Sequence, residues 1–329
     1  MRILFVGDPH VTVDELSDSR QMIYRVIQAA KQIEKLDLIC LLGDQHHNHS
    51  LLRVEVVHFW REALPSLDLA VPHNRWNPKV AMLVGNHDRP HDHEYEGHGL
   101  LYKDQCLVVD RAIAIDNVLF VPWMPNDKFI EAVRSPVSTA GIRPRTLVCH
   151  QTFNGAKYEN GFYAPDGVDT SVVAHFEKVI SGHIHKPQSF ANIEYVGAPR
   201  WRTMSDANQS RHLMFYDTET GATEYFPMEG FCNAIYVHDD IEGVDAPAPR
   251  FLEPHTLYVN VRGSQAYVDS RKGLWEANVA TFPTRTSKNE VRESIGVRAA
   301  LMKHLEAFTP PNGTDLALLQ SMVAERIHV

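Results

Sequence analysis

Five short stretches of this chain end an apolar run in side chains that bind metal ions. They are Leu4-Phe5-Val6-Gly7-Asp8-Pro9-His10, Leu38-Ile39-Cys40-Leu41-Leu42-Gly43-Asp44 continuing to His47, Ala81-Met82-Leu83-Val84-Gly85-Asn86-His87-Asp88, Thr146-Leu147-Val148-Cys149-His150 and Val179-Ile180-Ser181-Gly182-His183-Ile184-His185. The donors are imidazole nitrogens and carboxylate or amide oxygens without a thiolate. That set suits manganese, iron or zinc at a paired site better than a structural cysteine-bound zinc. Two such ions side by side clamp a phosphoryl group and activate water against it. The segment Gly43-Asp44-Gln45-His46-His47-Asn48-His49-Ser50 crowds three histidines into four positions. Which of them carries chemistry is not given by spacing alone.

Chemistry of this kind requires elements that bring the five stretches together. In α/β sheets, ligands at the carboxyl ends of neighbouring strands converge on one crevice. Glycines at 7, 43, 85 and 182 fit tight exits from strand to loop. The first third alternates as required: a strand at Ile3–Val6, an amphipathic helix over Ser19–Lys35, and a doubly buried strand at Asp37–Leu42. A helix capped by Ser50 and running to about Leu64 follows, then a buried strand at Lys79–Val84. Beyond residue 105 the pattern predicts short strands, with helix candidates at Asp127–Val133 and Thr170–Phe176 and a hairpin turn at Thr218–Gly221. A boundary is expected between Gly230 and Arg250, where Ala246-Pro247-Ala248-Pro249 reads as a linker. Two helices close the chain, over Asn289–Phe308 and, past Pro310, Pro311 and Gly313, over Leu316, Leu319, Val323 and Ile327. The fold class is α/β: a layered core flanked by helices, a small α+β capping region and C-terminal helices.

Composition narrows the classes. Apolar residues are 44% of the 329, enough for a large core. No run approaches the roughly 18 apolar residues of a membrane span, and a first strand at the N-terminus reads as a cytoplasmic protein. The four cysteines, Cys40, Cys106, Cys149 and Cys232, lack metal or redox spacing and fit a reducing compartment. A net charge of −9 argues mildly against a free-standing, high-affinity nucleic-acid binder.

The series D-x-H, GD-x-x-H, GNHD, H and GH-x-H resembles the calcineurin-like metallophosphoesterase superfamily over roughly residues 1–200, whose core is a layered β-sandwich. The resemblance implies one divalent ion held by Asp8, His10, Asp44 and His185. A second would be held by Asp44, Asn86, His150 and His183, with Asp44 bridging. Manganese is the first expectation, iron or zinc the others. It implies His87 as proton donor or charge stabiliser, and Asp88 as the group that orients His87. Gly182-His183-Ile184-His185-Lys186-Pro187-Gln188, Tyr195-Val196-Gly197-Ala198-Pro199 and His47 further resemble the SbcD-type DNA repair nuclease subunits. The length is closer to a compact or phage-encoded version of these. That likeness implies a nuclease domain over 1–229, a cap over 230–285 and a helical segment over 286–329 that docks on the coiled coil of an SbcC-type ATPase. DNA is the implied substrate, with exonuclease and also endonuclease action, and a homodimer is compatible.

Of the three clustered histidines, the likeness singles out His47 for the crevice. Strand alternation turns His46 away, and His49 is assigned to the loop. His91, His93 and His98 read as a solvated loop that Arg89 orders. Arg200, Trp201, Arg202 and Arg211 form the best basic-aromatic patch and are the candidate DNA contacts. Two other functions fit the same motifs. One is a stand-alone phosphoesterase of nucleotides, cyclic nucleotides or phosphoproteins. The other is a non-catalytic scaffold, against which the paired His87 and Asp88 argue.

Overall fold

The computed structural model describes residues 1–49, 51–72, 78–90, 97–134, 141, 143–244, 251–271, 273–275 and 277–283. In chain order the elements are β1 Arg2–Val6, α1 Leu16–Gln32, β2 Leu38–Leu41, α2 Val54–Ala70, β3 Val80–Leu83, β4 Leu107–Val109, β5 Ile113–Ile115 and β6 Val118–Val121. They continue with α3 Asn126–Arg134, β7 Thr146–His150, β8 Lys178–Gly182, β9 Gln188–Phe190, β10 Ile193–Tyr195, β11 His212–Asp217 and β12 Thr223–Pro227. Last come β13 Ala234–Ile241, β14 His255–Gly263, α4 Gln265–Arg271 and β15 Asn278–Pro283.

One six-stranded sheet has the order β12-β11-β1-β2-β3-β4, a second β5-β6-β7-β8-β10-β9. Alternation along the strands explains why they stack. Ile3 and Phe5 of β1, Cys40 of β2 and Ala81 and Leu83 of β3 face inward, where they meet Phe120, Val148 and Ile180 of the second sheet. Leu4, Val6, Ile39, Leu41, Val80 and Met82 point the other way, into a layer closed by α1 and α2. On the second sheet Leu147, Cys149 and Val179 face outward against Phe129 and Val133 of α3. Strands apolar on both faces are thus buried on both faces, each filled Leu, Ile or Val site contributing about 1.5–3 kcal/mol.

The helix boundaries differ from the sequence expectation. Helix α1 begins at Leu16, so Ser19 lies inside it, its hydroxyl donating to the Glu15 carbonyl oxygen at 2.8 Å. Helix α2 starts at Val54 and runs through Pro65 to Ala70. Phe59, Trp60, Ala63, Leu64, Leu67 and Ala70 continue its buried stripe past the proline, and that packing outweighs the lost backbone bond. Only a short 3₁₀ turn, Thr170–Val173, stands where a helix to Phe176 was expected.

The third sheet, β13-β14-β15, is parallel throughout, with α4 crossing from β14 to β15. Strand β13 occupies part of the region expected to hold a boundary, and its Ala234 and Ile235 pack into the layer of α1 and α2. The Ala-Pro stretch at 246–249, and both C-terminal helices expected over Asn289–Phe308 and Leu316–Ile327, lie outside the described residues. Among the described residues no helix is long and apolar enough to cross a membrane, and all four cysteines are free and buried.

Candidate active site

The carboxyl ends of β1, β2, β3, β7 and β8 meet at one edge of the two facing sheets. There the backbone leaves its usual conformations at three donors: His10, Asp44 and His183 have φ of 43°, 53° and 81°. Left-handed conformations cost a residue with a side chain energy, and such outliers cluster at functional sites. Gly43 (φ 112°) is confined twice, because a β-carbon there would lie 2.3 Å from Nδ1 of His150. At Gly7 a β-carbon would lie 1.8 Å from the Gly197 carbonyl oxygen, so the exit from β1 is pressed directly on another backbone.

Seven donor residues form two adjoining groups. His10 Nε2 lies 2.9 Å from His185 Nε2 and 3.4 Å from Asp44 Oδ2. His150 Nε2 lies 3.4 Å from Asp44 Oδ1 and 3.1 Å from the Asn86 side-chain oxygen, which is 2.9 Å from His183 Nδ1. Asp44 thus directs one carboxylate oxygen toward each group. Asp8 joins His10 and His185 in the first. Its Oδ1 accepts the His183 backbone N–H at 2.6 Å, while its buried Oδ2 has no hydrogen-bond partner among the described residues. An orphaned carboxylate oxygen in a shell of imidazoles is what a cation would satisfy. His150 donates its Nδ1–H to the Leu42 carbonyl oxygen at 2.7 Å, which turns the Nε2 lone pair into the site. The residues therefore fit a pair of divalent ions.

Electrostatics favour the ligating form at His183, His10 and Asp44, and the protonated form at His150 and Asp8. Burial, reinforced by the neighbouring His150, pushes the His183 imidazole down to about 3, and burial also drives His10 well below the usual range. Both stay neutral, as ligands must. For His150 burial works downward too, but the charges of Asp44 and Asp8 prevail and raise it to about 9. Burial opposes the ionised form of Asp44, yet His150 beside it holds the carboxyl well below its usual range. Asp8 is raised by burial, although His150 and His185 pull the other way.

His87 stands at the mouth. Its backbone N–H reaches Asp44 Oδ1 at 2.9 Å, and its ring Nδ1 lies 2.6 Å from the His47 carbonyl oxygen. The expected partner Asp88 does not orient it. Asp88 is fully buried, and its carboxylate accepts from the backbone N–H of Gln45, His46 and Gly85 and lies 3.1 Å from His46 Nδ1. It ties the loop after β2 to the loop after β3.

His46 does turn from the crevice, into a buried slot where Nε2 lies 3.0 Å from the Tyr102 hydroxyl. His98, expected in a solvated loop, packs edge-on to His46 at 5.4 Å between ring centroids; His91 and His93 lie outside the described residues. His47 faces the site, with Nδ1 3.5 Å from His10 Nδ1. His49 is more than a loop residue: its ring stacks on His87 at 4.1 Å.

The basic-aromatic patch is largely not a surface. Arg200, Trp201 and Arg211 are 1%, 4% and 0% exposed. Arg200 pairs with Glu15 and Asp18 and donates to the Pro9 carbonyl oxygen at 2.9 Å, between the donors Asp8 and His10. Arg211 pairs with Asp206 and donates to the His185 carbonyl oxygen. Trp201 donates its indole N–H to the Gln209 carbonyl oxygen at 2.8 Å. These residues hold the backbone of the ligand loops, and burial removes them as DNA contacts. Arg202 alone reaches the mouth, its Nη1 3.3 Å from His47 Nδ1 and its Nε bonded to Glu15. Arg89 is buried with its guanidinium 5.9 Å from the Trp123 ring. Tyr102, and Glu159 at 3.6 Å from His185 Nδ1, carried no motif in the sequence.

Residues 1–187 match the calcineurin-like phosphoesterase family. Exonuclease subunit 1 of Enterobacteria phage T4 is 28% identical over 243 residues, 69% of this chain and 68% of that protein. A putative phosphoesterase of Invertebrate iridescent virus 3 is 25% identical over 207 residues, 60% of this chain and 56% of its own. An SbcCD nuclease subunit of Staphylococcus epidermidis is 23% identical over 256 residues, 67% of this chain and 66% of that protein.

Proposed function

Because the chain belongs to the calcineurin-like phosphoesterase family and is a metal-dependent phosphodiester hydrolase, we propose that its substrate is DNA. The proposed role is the nuclease subunit of an SbcCD-like repair or recombination complex, with exonuclease and also endonuclease action. One observation carries this reading: donors from five strand ends form two adjoining groups sharing Asp44, with His87 held at their mouth. The relatives named as nuclease subunits supply the polymer substrate and the partner. Residues 230–285, which contain the third sheet, are the proposed cap, residues 1–229 the nuclease domain and residues 286–329 the segment that docks on a coiled-coil ATPase.

Asp8, His10, Asp44 and His185 would hold one ion, and Asp44, Asn86, His150 and His183 the other, with manganese the expected metal. When bound, such a pair supplies positive charge to phosphoryl oxygens and acidifies water for in-line attack. The chain does the rest. With Nδ1–H donated to the His47 carbonyl oxygen, His87 leaves Nε2 to deliver a proton to the departing sugar oxygen. His47 and Arg202 flank that position and hold the phosphate in line.

A second reading, a stand-alone phosphodiesterase of small substrates, is favoured by the burial of Arg200, Trp201 and Arg211 and by the net charge of −9. End-labelled DNA with manganese separates the two, EDTA and His87→Ala serving as controls. Metal-dependent release of labelled nucleotides, abolished in both controls, supports the nuclease. Hydrolysis confined to small phosphodiesters, even with a coiled-coil ATPase present, overturns it.

A further inference from the structure

Beside the two donor groups, and bordered by His47, whose Nδ1 lies 3.5 Å from that of His10, a groove opens with a cavity volume of about 330 Å³. Small-molecule sites span about 300–1,000 Å³, and the groove begins at His47, whose carbonyl oxygen lies 2.6 Å from His87 Nδ1, within reach of a nucleoside attached to a phosphate at the mouth. We propose that the groove is a nucleoside subsite that seats the sugar and base on one side of the scissile phosphate. The inference rests on the phosphodiesterase reading and adds the part of the substrate that is recognised.

The floor is rigid because strand pairing continues beyond β1 and β2. His10 N–H donates to the Asp44 carbonyl oxygen at 2.8 Å and Val11 N–H to that of Gln45 at 3.0 Å, and Val11 bridges His46. Val11 and Val56, both nearly fully buried, anchor this floor to the core under α1 and α2. Apolar groups rise from it on both sides, Val13 on one and Leu51 and Leu52 on the other. Leu51 is 64% exposed. An exposed leucine beside a phosphate-handling centre is placed to cover an apolar ring face. Polar groups sit where a nucleoside has polar edges: Asp14, Asn48 and Arg53 line the same groove. The Arg53 guanidinium is paired with Glu55 but half exposed, so it can reach the next phosphate without being buried. His47 lies on the wall between the groove and the donor groups, so the same side chain that flanks the phosphate borders the subsite.

The subsite is tested with three substrates: thymidylyl-thymidine, thymidine 3′-methylphosphate and thymidine 5′-methylphosphate. Each methyl ester lacks one of the two nucleosides. Leu51→Asn removes apolar cover at an exposed position and leaves the core intact. It should raise KM about five- to tenfold for the dinucleotide and for one methyl ester. The KM of the other methyl ester, and kcat for all three, should stay within twofold. Equal changes on all three, or none, overturn the subsite. Binding of the dinucleotide to His87→Ala protein, compared with His87→Ala/Leu51→Asn, tests the groove independently of turnover. Weakening of about five- to tenfold supports it, and unchanged affinity overturns it. A parent enzyme that cleaves neither dinucleotide nor methyl esters contradicts the phosphodiester reading instead, while the binding pair still decides the groove.

Discussion

Side-chain identity alone does not separate the arginines near this site; burial does. Arg200 is sealed against Glu15, Asp18 and the Pro9 carbonyl oxygen, whereas Arg202 lies beside His47. Removing one partner of a buried pair leaves the others unsatisfied, so Arg200→Ala should cost about 3 kcal/mol of stability. Arg202→Ala should cost less than about 1 kcal/mol, with KM raised for phosphodiesters. Denaturant unfolding beside steady-state kinetics checks both, and the reverse ranking would show that Arg200 contacts substrate. The donor groups that the structure brings together were legible in the sequence because each follows an apolar run. The role of Asp88 was not. Its neighbour His87 is adjacent in sequence, but its carboxylate reaches Gln45, His46 and Gly85 across space. His46 and Tyr102 meet only through the fold. Nor could the motif show that His49 would stack on His87, since that depends on how the loop folds back.

Among elements, the strand ends carry the design, and their tolerance for change is small. A β-carbon on Gly7 would meet the backbone oxygen of Gly197, which no rotamer change can relieve. Gly7→Ala should therefore destabilise by about 1–3 kcal/mol and loosen metal binding, because Asp8 and His10 leave from this exit. Calorimetric titration with manganese and thermal unfolding measure the two effects; an unchanged affinity would show that the exit is pliant. The inner strands were readable from continuous apolar runs, since burial on both faces leaves little else. Helix ends were read less well. Ser19 read as a helix start and Ser50 as a cap, but α1 begins three residues before Ser19 and α2 at Val54. Strand β13 was passed over because its sequence, with His238, Asp239 and Asp240, alternates only weakly.

For the molecule as a whole, proton linkage in the metal-free protein should set an optimum near neutrality. His183 is pushed down to about 3, and burial lowers His10, His47, His98 and His212 as well. Unfolding restores them to about 6.5. Below that pH the unfolded chain binds more protons, and stability falls as pH falls. His150, raised to about 9, acts oppositely: its contribution is full below about pH 6.5 and is lost as pH rises through 9. Melting temperature in EDTA should thus decline from pH 7 toward both 5 and 9, and a flat profile would contradict these environments. Charge total was a weaker guide at this scale, since −9 is a sum over the whole chain and does not describe the crevice. The most direct test of the two-centre account is the number of manganese ions bound per chain at equilibrium, measured with DNA hydrolysis on the parent and on His87→Ala. Two ions on each protein, with hydrolysis lost by about 10²- to 10⁴-fold only in the variant, is the predicted result. Fewer than two ions on the parent, or an ion lost with His87, would contradict the assignment of Asp44 as a bridge and of His87 as the proton donor.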